Sequence, residues 1–267
     1  MSKNVTTFDI IMEETILSKA KAKELKGLSL KKERDKKGLF LVEGEKCVRD
    51  TLDSYNLDSL ICTREWIDNN PDIKKSWGKY LKLADKRTIE IISSLYSLPD
   101  VIAVFKIPDS DNEIPVLDKD KLYVLLDEIQ DPGNLGTIIR TCDWFGVYEI
   151  YASKNTVDVY SPKVVQASMG SLSRVKVRYL ELEKLIIRNR DLKLIGTLLE
   201  GKPLSSINVN SGMLLMGNEG RGISKPLKDL IDISLTIPPV NPHNHPDSLN
   251  VAITTAIVLS HIHGEMK

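Results

Sequence analysis

The chain has 267 residues, with 37 basic and 37 acidic side chains and a formal net charge of zero. That length allows one large domain or two ordinary ones, and the charge balance argues against a wholesale nucleic-acid coat. No apolar run reaches bilayer-spanning length, and the opening Met-Ser-Lys-Asn-Val-Thr-Thr lacks a signal-peptide core, so a cytoplasmic location is expected.

A helical pattern opens around Glu13 to Leu25. The stretch from Lys19 to Lys37 then gathers Lys19, Lys21, Lys23, Lys26, Lys31, Lys32, Arg34, Lys36 and Lys37 against only Glu24, Glu33 and Asp35. A local basic surface of this kind neutralises phosphates in an otherwise neutral protein. The same composition also suits a solvated helix face. Strands are predicted at 39–43, 57–62, 79–84 and 101–105, with a helix starting near Gly44, which together make a compact α/β unit. Lys106 to Lys121, with Pro108, Pro115 and a cluster of Asp, Ser and Asn, has linker composition. The expected domains are therefore residues 1–112, which include the start of the linker, and 113–267.

From Leu122 the pattern changes to alternating buried strands and helices. Strands are predicted at 122–126, 149–152, 193–199, 212–216 and 233–237, with a last helix from about 249 to 262. The run Leu122 to Leu126 is of the kind buried on both faces of a parallel sheet, and strand-helix alternation argues for helices on both of its faces. The three cysteines, Cys47, Cys62 and Cys142, lack CxxC spacing and are expected to be reduced packing residues.

Three blocks join a buried strand to a glycine- or asparagine-rich turn and a helix, where α/β proteins place ligand sites. In Asp127-Glu-Ile-Gln-Asp-Pro-Gly-Asn-Leu-Gly-Thr-Ile-Ile-Arg140, Asn134 reads as a helix cap followed by an arginine, a pairing able to hold phosphate. Its bland reading is an ordinary cap and a surface arginine. Met216-Gly-Asn-Glu-Gly-Arg-Gly-Ile-Ser224 has neither P-loop nor GxGxxG spacing, and alone it reads as a plain turn. In the third, Ile237-Pro238 precedes Ser248-Leu-Asn-Val-Ala252, where Ser248 is the candidate cap and Asn250 lies on the first helical turn. His243 with His245, and His261 with His263, form HxH pairs with no third ligand nearby, so no metal is expected.

Together the three blocks closely resemble the signature motifs of the TrmH/SpoU family, the RNA ribose 2′-O-methyltransferases of the SPOUT superfamily. Lys19-Ala20, the segment Arg34 to Glu45 and Pro99 to Ala103 resemble that family's N-terminal domain and the segment before its catalytic domain. Gln166 to Arg174 also resembles a family segment, and Gly170 reads there as a helix C-cap.

The resemblance implies an α/β SPOUT domain with a mostly parallel sheet and a deep C-terminal trefoil knot, preceded by a small α/β RNA-binding domain like certain ribosomal proteins. It implies S-adenosylmethionine as cofactor, contacted at Thr197, Gly217, Ile237 and Leu249, and catalytic-site roles for Asn134, Arg140, Glu219, Ser248 and Asn250. It further implies an RNA substrate, ribosomal in preference to transfer RNA, and a homodimer paired through helices beside the knot. The alternatives are a transfer-RNA enzyme and a non-catalytic RNA-binding protein that kept the fold. The chain departs from the family pattern between Pro239 and Asp247, a segment that is longer and ends in Asp where Glu is usual, so the shape of the cofactor lid is the open point.

Overall fold

The computed structural model describes residues 15–109, 113–241, 243 and 246–264, so Glu13, Glu14 and His245 lie outside the described residues. The first helix begins at Lys19, later than expected, because Thr15–Ile16 pair as a strand and Ser18 caps the helix. The chain divides into two compact units, 1–107 and 108–267.

The first unit runs β1 (Thr15–Ile16), α1 (Lys19–Lys26), α2 (Lys31–Lys37), β2 (Leu39–Glu43), α3 (Glu45–Thr51), β3 (Leu57–Cys62), α4 (Arg64–Asp68), α5 (Pro71–Trp77), β4 (Leu81–Leu83), α6 (Lys86–Ile92) and β5 (Val101–Lys106). Its sheet has the order β1-β4-β3-β5-β2, with β5 antiparallel to both of its neighbours. Val101 to Phe105 are fully buried, as a continuous apolar run between two strands requires. The Ser18 side chain caps α1 by accepting from the Lys21 N–H at 3.2 Å, which sets Ala22 and Leu25 inward and the lysines outward. The strand expected at 79–84 is shorter because Gly78–Tyr80 closes into a 3₁₀ turn first.

The second unit runs β6 (Leu122–Leu126), α7 (Pro132–Trp144), β7 (Glu149–Ala152), α8 (Pro162–Ser168), β8 (Lys176–Tyr179), α9 (Leu182–Arg188), β9 (Leu194–Pro203), β10 (Gly212–Met216), α10 (Lys225–Lys228), β11 (Ile233–Thr236) and α11 (Val251–Gly264). Its six strands are all parallel in the order β11-β9-β10-β6-β7-β8. From β6 the chain steps outward through β7 and β8, then returns on the other side of β6. The strand order therefore reverses at the β6/β10 pair, and in an open parallel sheet the crevice at such a point, beyond the strands' C-terminal ends, holds the ligand. Met169 takes the left-handed cap of α8 (φ +51°), one position earlier than the Gly170 cap expected from sequence, and Gly170 follows at +90°.

Cys47, Cys62 and Cys142 are buried free thiols, and burial pushes Cys62 up to about 12, so packing is their role. Among the described residues no helix is long and apolar enough to cross a membrane.

Candidate active site

The loops after β6 and β10 are stitched together across the reversal point. Asp127 N–H donates to the Met216 carbonyl at 2.9 Å, and the buried Asp127 carboxylate accepts from Ser224 N–H at 2.7 Å. The cap of α7 is Asp131 and not Asn134: its Oδ1 accepts from the Asn134 N–H at 2.8 Å, with Pro132 in the first turn. Being relieved of capping, the Asn134 side chain is free for other work.

That side chain sits in the middle of a hydrogen-bonded relay. Asn134 Nδ2 donates to Glu219 Oε1 at 3.0 Å, and Asn134 Oδ1 accepts from Asn250 Nδ2 at 2.9 Å. The Glu219 carboxylate also accepts from the backbone N–H groups of Asp131 (3.2 Å) and Gln130 (3.3 Å). At the other end Asn250 Oδ1 accepts from Ala252 N–H (2.9 Å) and Ile253 N–H (3.3 Å), so Asn250, and not Ser248, caps α11. An ionised carboxylate only accepts, so Glu219 fixes which way the Asn134 amide points, and Asn134 in turn fixes Asn250.

Burial alone pushes the Glu219 carboxyl up. Hydrogen bonds from Asn134 and from the backbone N–H groups of Glu219, Gln130 and Asp131 outweigh burial and hold it below its ordinary value. Glu219 is therefore a carboxylate anchor and a poor general base. Because its folded value is depressed, the stability it contributes is present above the ordinary value of 4.5 and is lost as pH falls through the folded value. Glu219→Gln turns an N–H toward donors that need an acceptor, so it is expected to lower the melting temperature at neutral pH. The gap from wild type should close in acid, and a gap that stays constant from about pH 7 to about pH 3 would contradict the anchor role.

The 217–223 turn is closed by Asn218 and Gly222, which exchange backbone hydrogen bonds at 3.0 and 2.9 Å. A Cβ on Gly217 would lie 2.4 Å from the backbone of Gly222 and of Ile223, so tight closure of this turn admits only glycine there. Sequence reasoning missed Glu128, which docks this turn. Its carbonyl accepts from Asn218 Nδ2 at 2.7 Å, and its carboxylate accepts from Arg221 and Asn155, both at 2.8 Å. Glu128 holds a left-handed backbone (φ +57°) with a non-glycine side chain, a conformation that the identity of the residue does not announce.

The other expected residues fall into two groups. Thr197 is half-buried on β9, and its hydroxyl donates to the Leu215 carbonyl at 3.4 Å. Ile237 follows β11 half-buried, and Leu249 is 50% exposed. Between Gly196, which pairs with Ser234, and Lys202, which pairs with Leu235, the β9/β11 ladder is interrupted, so Thr197 to Gly201 have no ladder partners on β11, and the Leu199 carbonyl accepts instead from the Thr236 hydroxyl at 3.0 Å. Ser248 and Arg140 stand outside the relay. Both are exposed and make no hydrogen bond or ion pair among the described residues. Arg140 lies six residues beyond Asn134, about 9 Å further along α7.

Among the described residues no group of three or more His, Cys, Asp or Glu could hold a metal ion. His243 is exposed, His261 Nε2 lies 3.0 Å from the Ile207 carbonyl, and His263 stacks on Phe145 with ring centroids 5.5 Å apart.

Residues 121–260 match the profile of the SpoU rRNA Methylase family, and residues 19–97 match that of the MRM3-like substrate binding domain. The chain is 30% identical over 248 residues to the 23S rRNA (guanosine(2553)-2′-O)-methyltransferase RlmP of Bacillus subtilis, covering 91% of this chain and 96% of that one. It is 33% identical over 172 residues to the 23S rRNA (uridine(2479)-2′-O)-methyltransferase of Streptomyces viridochromogenes, covering 60% of this chain and 58% of that one. A putative TrmH-family RNA methyltransferase from Porphyromonas gingivalis superposes with a TM-score of 0.81 at 33% identity, over 94% of this chain and 100% of that one. The AdoMet-bound rRNA methyltransferase from Sinorhizobium meliloti superposes at 0.82 with 29% identity, over 95% and 97%. The relay, the reversal point it occupies and these end-to-end matches agree, and the chain belongs to the SpoU rRNA methylase family.

Proposed function

We propose that this chain transfers a methyl group from S-adenosylmethionine to the 2′-hydroxyl of a ribose in ribosomal RNA. The observation that carries the reading is the Glu219–Asn134–Asn250 relay, which draws one residue from each of the three sequence blocks to one end of the sheet. The two relatives named for ribosomal nucleotides act on a guanosine and a uridine, so the reaction carries over and the nucleotide does not.

The C-terminal ends of β9, β10 and β11 fit the cofactor chemically. Thr197 to Gly201 offer backbone groups outside the β9/β11 ladder, of which the Leu199 carbonyl is taken by the Thr236 hydroxyl, and Leu199 (76% exposed) and Leu249 (50%) offer apolar faces of the kind a purine packs on. Thr197, Gly217, Ile237 and Leu249 would hold it, and when bound it supplies an electrophilic methyl group. The chain's own part is positioning: the relay fixes two amides at the mouth of the site, and a hydroxyl held in line needs little more than loss of its proton. Ser248, with a free hydroxyl beside Asn250, is a hydrogen-bonding group for the incoming ribose. Arg140 is always protonated in a protein, so it binds RNA phosphate and orients the hydroxyl, and does not act as a base.

The working unit is a homodimer. Ile253 and Ile257, one turn apart on α11, are 51% and 37% exposed while Val251 and Val258 face inward, and Trp144 on the adjoining α7 is 84% exposed. Trp144 lies four residues beyond Arg140, so both share one helix face, and a partner covering Trp144 would bring Arg140 to the interface. Ile253→Asp with Ile257→Asp is expected to halve the solution mass and remove activity. Fully active wild type at the 30.0 kDa chain mass in light scattering would contradict this. The same reading includes residues 1–112 as the RNA-reading domain, the C-terminal trefoil knot and a cytoplasmic location.

Mapping ribose methylation on cellular ribosomal RNA, with and without the gene, tests the proposal. One position should lose its methyl group, and an unchanged map would refute it.

A further inference from the structure

The basic stretch of the first unit is less available than its sequence suggests. Lys21 pairs with Glu24, Lys31 with Asp35 and Lys37 with Glu24, each at 3.0 Å. Arg34 is 2% exposed and donates to the carbonyls of Leu28 and Ser29 at 2.7 and 2.9 Å. Lys19 and Lys23 on α1, by contrast, are exposed with no hydrogen bond or ion pair among the described residues, and so are Lys86 and Arg87 on α6. The two helices pack together. Leu17 N–H donates to the Leu83 carbonyl at 2.8 Å, which sets the starts of α1 and α6, and with them Lys19, Lys86 and Arg87, at one end of the pair. The Asp85 carboxyl there is held below its ordinary range first by hydrogen bonds from Thr88 and then by the charges of Lys19 and Arg87. Glu90 is the acidic residue of α6.

Beyond α6 the chain presents Tyr96 with its side chain wholly in water, at 108% exposure. The loop that holds it is tied down. Ser93 Oγ and Ser94 Oγ donate to the Glu43 carboxylate at 2.5 and 2.8 Å, Ser94 N–H donates to it at 3.2 Å, and Leu95 N–H donates to Ser93 Oγ at 3.1 Å. A bare aromatic ring on a preordered loop, four residues beyond a helix about 10 Å long whose start carries unpaired cations, has the two parts of a single-strand site: charge to track the backbone and a π-face for a base.

We propose that Tyr96 is a stacking platform for an unpaired RNA base, at the end of a phosphate track formed by Lys19, Lys23, Lys86 and Arg87. This rests on the reading of the first unit as the RNA reader and adds to it a preference for single-stranded RNA.

The test uses the full chain and a fluorescent mixed-sequence 20-mer RNA, single-stranded or annealed to its complement, with binding followed over a range of salt. Tyr96→Ala should weaken single-strand binding about 5- to 100-fold without changing the slope of log affinity against log salt, and Tyr96→Phe should bind close to wild type. Lys86→Gln with Arg87→Gln should make the slope shallower by about one to two. Wild-type affinity in Tyr96→Ala overturns the platform, and a shallower slope in the double variant would then leave the RNA-reader role standing. No change in either variant overturns the platform and the track. Equal affinity of the wild type for duplex and single strand also overturns the proposal, because a paired base offers no free face to stack on.

Discussion

Replacing Arg140 with alanine is expected to cut methyl transfer at least about a hundred-fold while leaving cofactor affinity within a few-fold and the melting temperature unchanged. The guanidinium is exposed and makes no hydrogen bond or ion pair among the described residues, so its loss leaves nothing unpaired and no cavity in the fold. Arg140 is also about 9 Å along α7 from Asn134 and outside the β9–β11 edge, so cofactor contacts should survive. Arg140→Lys should recover little, because an ammonium does not reproduce the planar fork that grips a phosphate. Normal turnover in Arg140→Ala, measured with saturating RNA and cofactor, would remove this residue from the site.

Gly217→Ala is expected to weaken cofactor binding at least about tenfold and to lower turnover with it. The new methyl group would stand 2.4 Å from backbone atoms of Gly222 and Ile223, and backbone cannot rotate away as a side chain can. The turn must open, which pulls Glu219 from Asn134 and from the amides of Gln130 and Asp131. The expected cost to stability is about 1–3 kcal/mol, short of unfolding, because overpacking here is confined to a surface turn. Calorimetric titration with S-adenosylmethionine measures the first effect, and wild-type affinity in a folded variant would show that the turn takes no part in the cofactor site.

Much of the second unit was legible because its strands are continuous apolar runs. Leu122–Leu126 and Gly212–Met216 stand where their composition puts them, in the middle of a parallel sheet. The edge was not: β8 is Lys-Val-Arg-Tyr, half-exposed, and its charged alternation gives no sign of a sheet strand. Nor was the interruption between β9 and β11, which depends on pairing across the sheet and not on residue type. Asn134, Glu219 and Asn250 were singled out by motif and the fold brings them together, but their mutual bonds were not legible. Asn134 and Asp131 are both good capping residues, and only the backbone decides that Asp131 caps the helix and Asn134 joins the relay. In the first unit the reverse held. Counting lysines overstated the basic surface, because three of them are paired and Arg34 is buried.

The most direct test of ribose methylation is where a transferred methyl group resides. The protein is incubated with ribosomal RNA from cells lacking the gene and with S-adenosylmethionine carrying a labelled methyl, and the RNA is digested to completion with alkali. Alkaline cleavage needs the free 2′-hydroxyl, so a methylated ribose protects the adjoining phosphodiester and its label must emerge in a dinucleotide. Ribose transfer guided by the Glu219–Asn134–Asn250 relay predicts label in that alkali-resistant dinucleotide, lost in Arg140→Ala. Label in mononucleotides would mean that a base accepts the methyl group, and it would contradict the assignment of the 2′-hydroxyl.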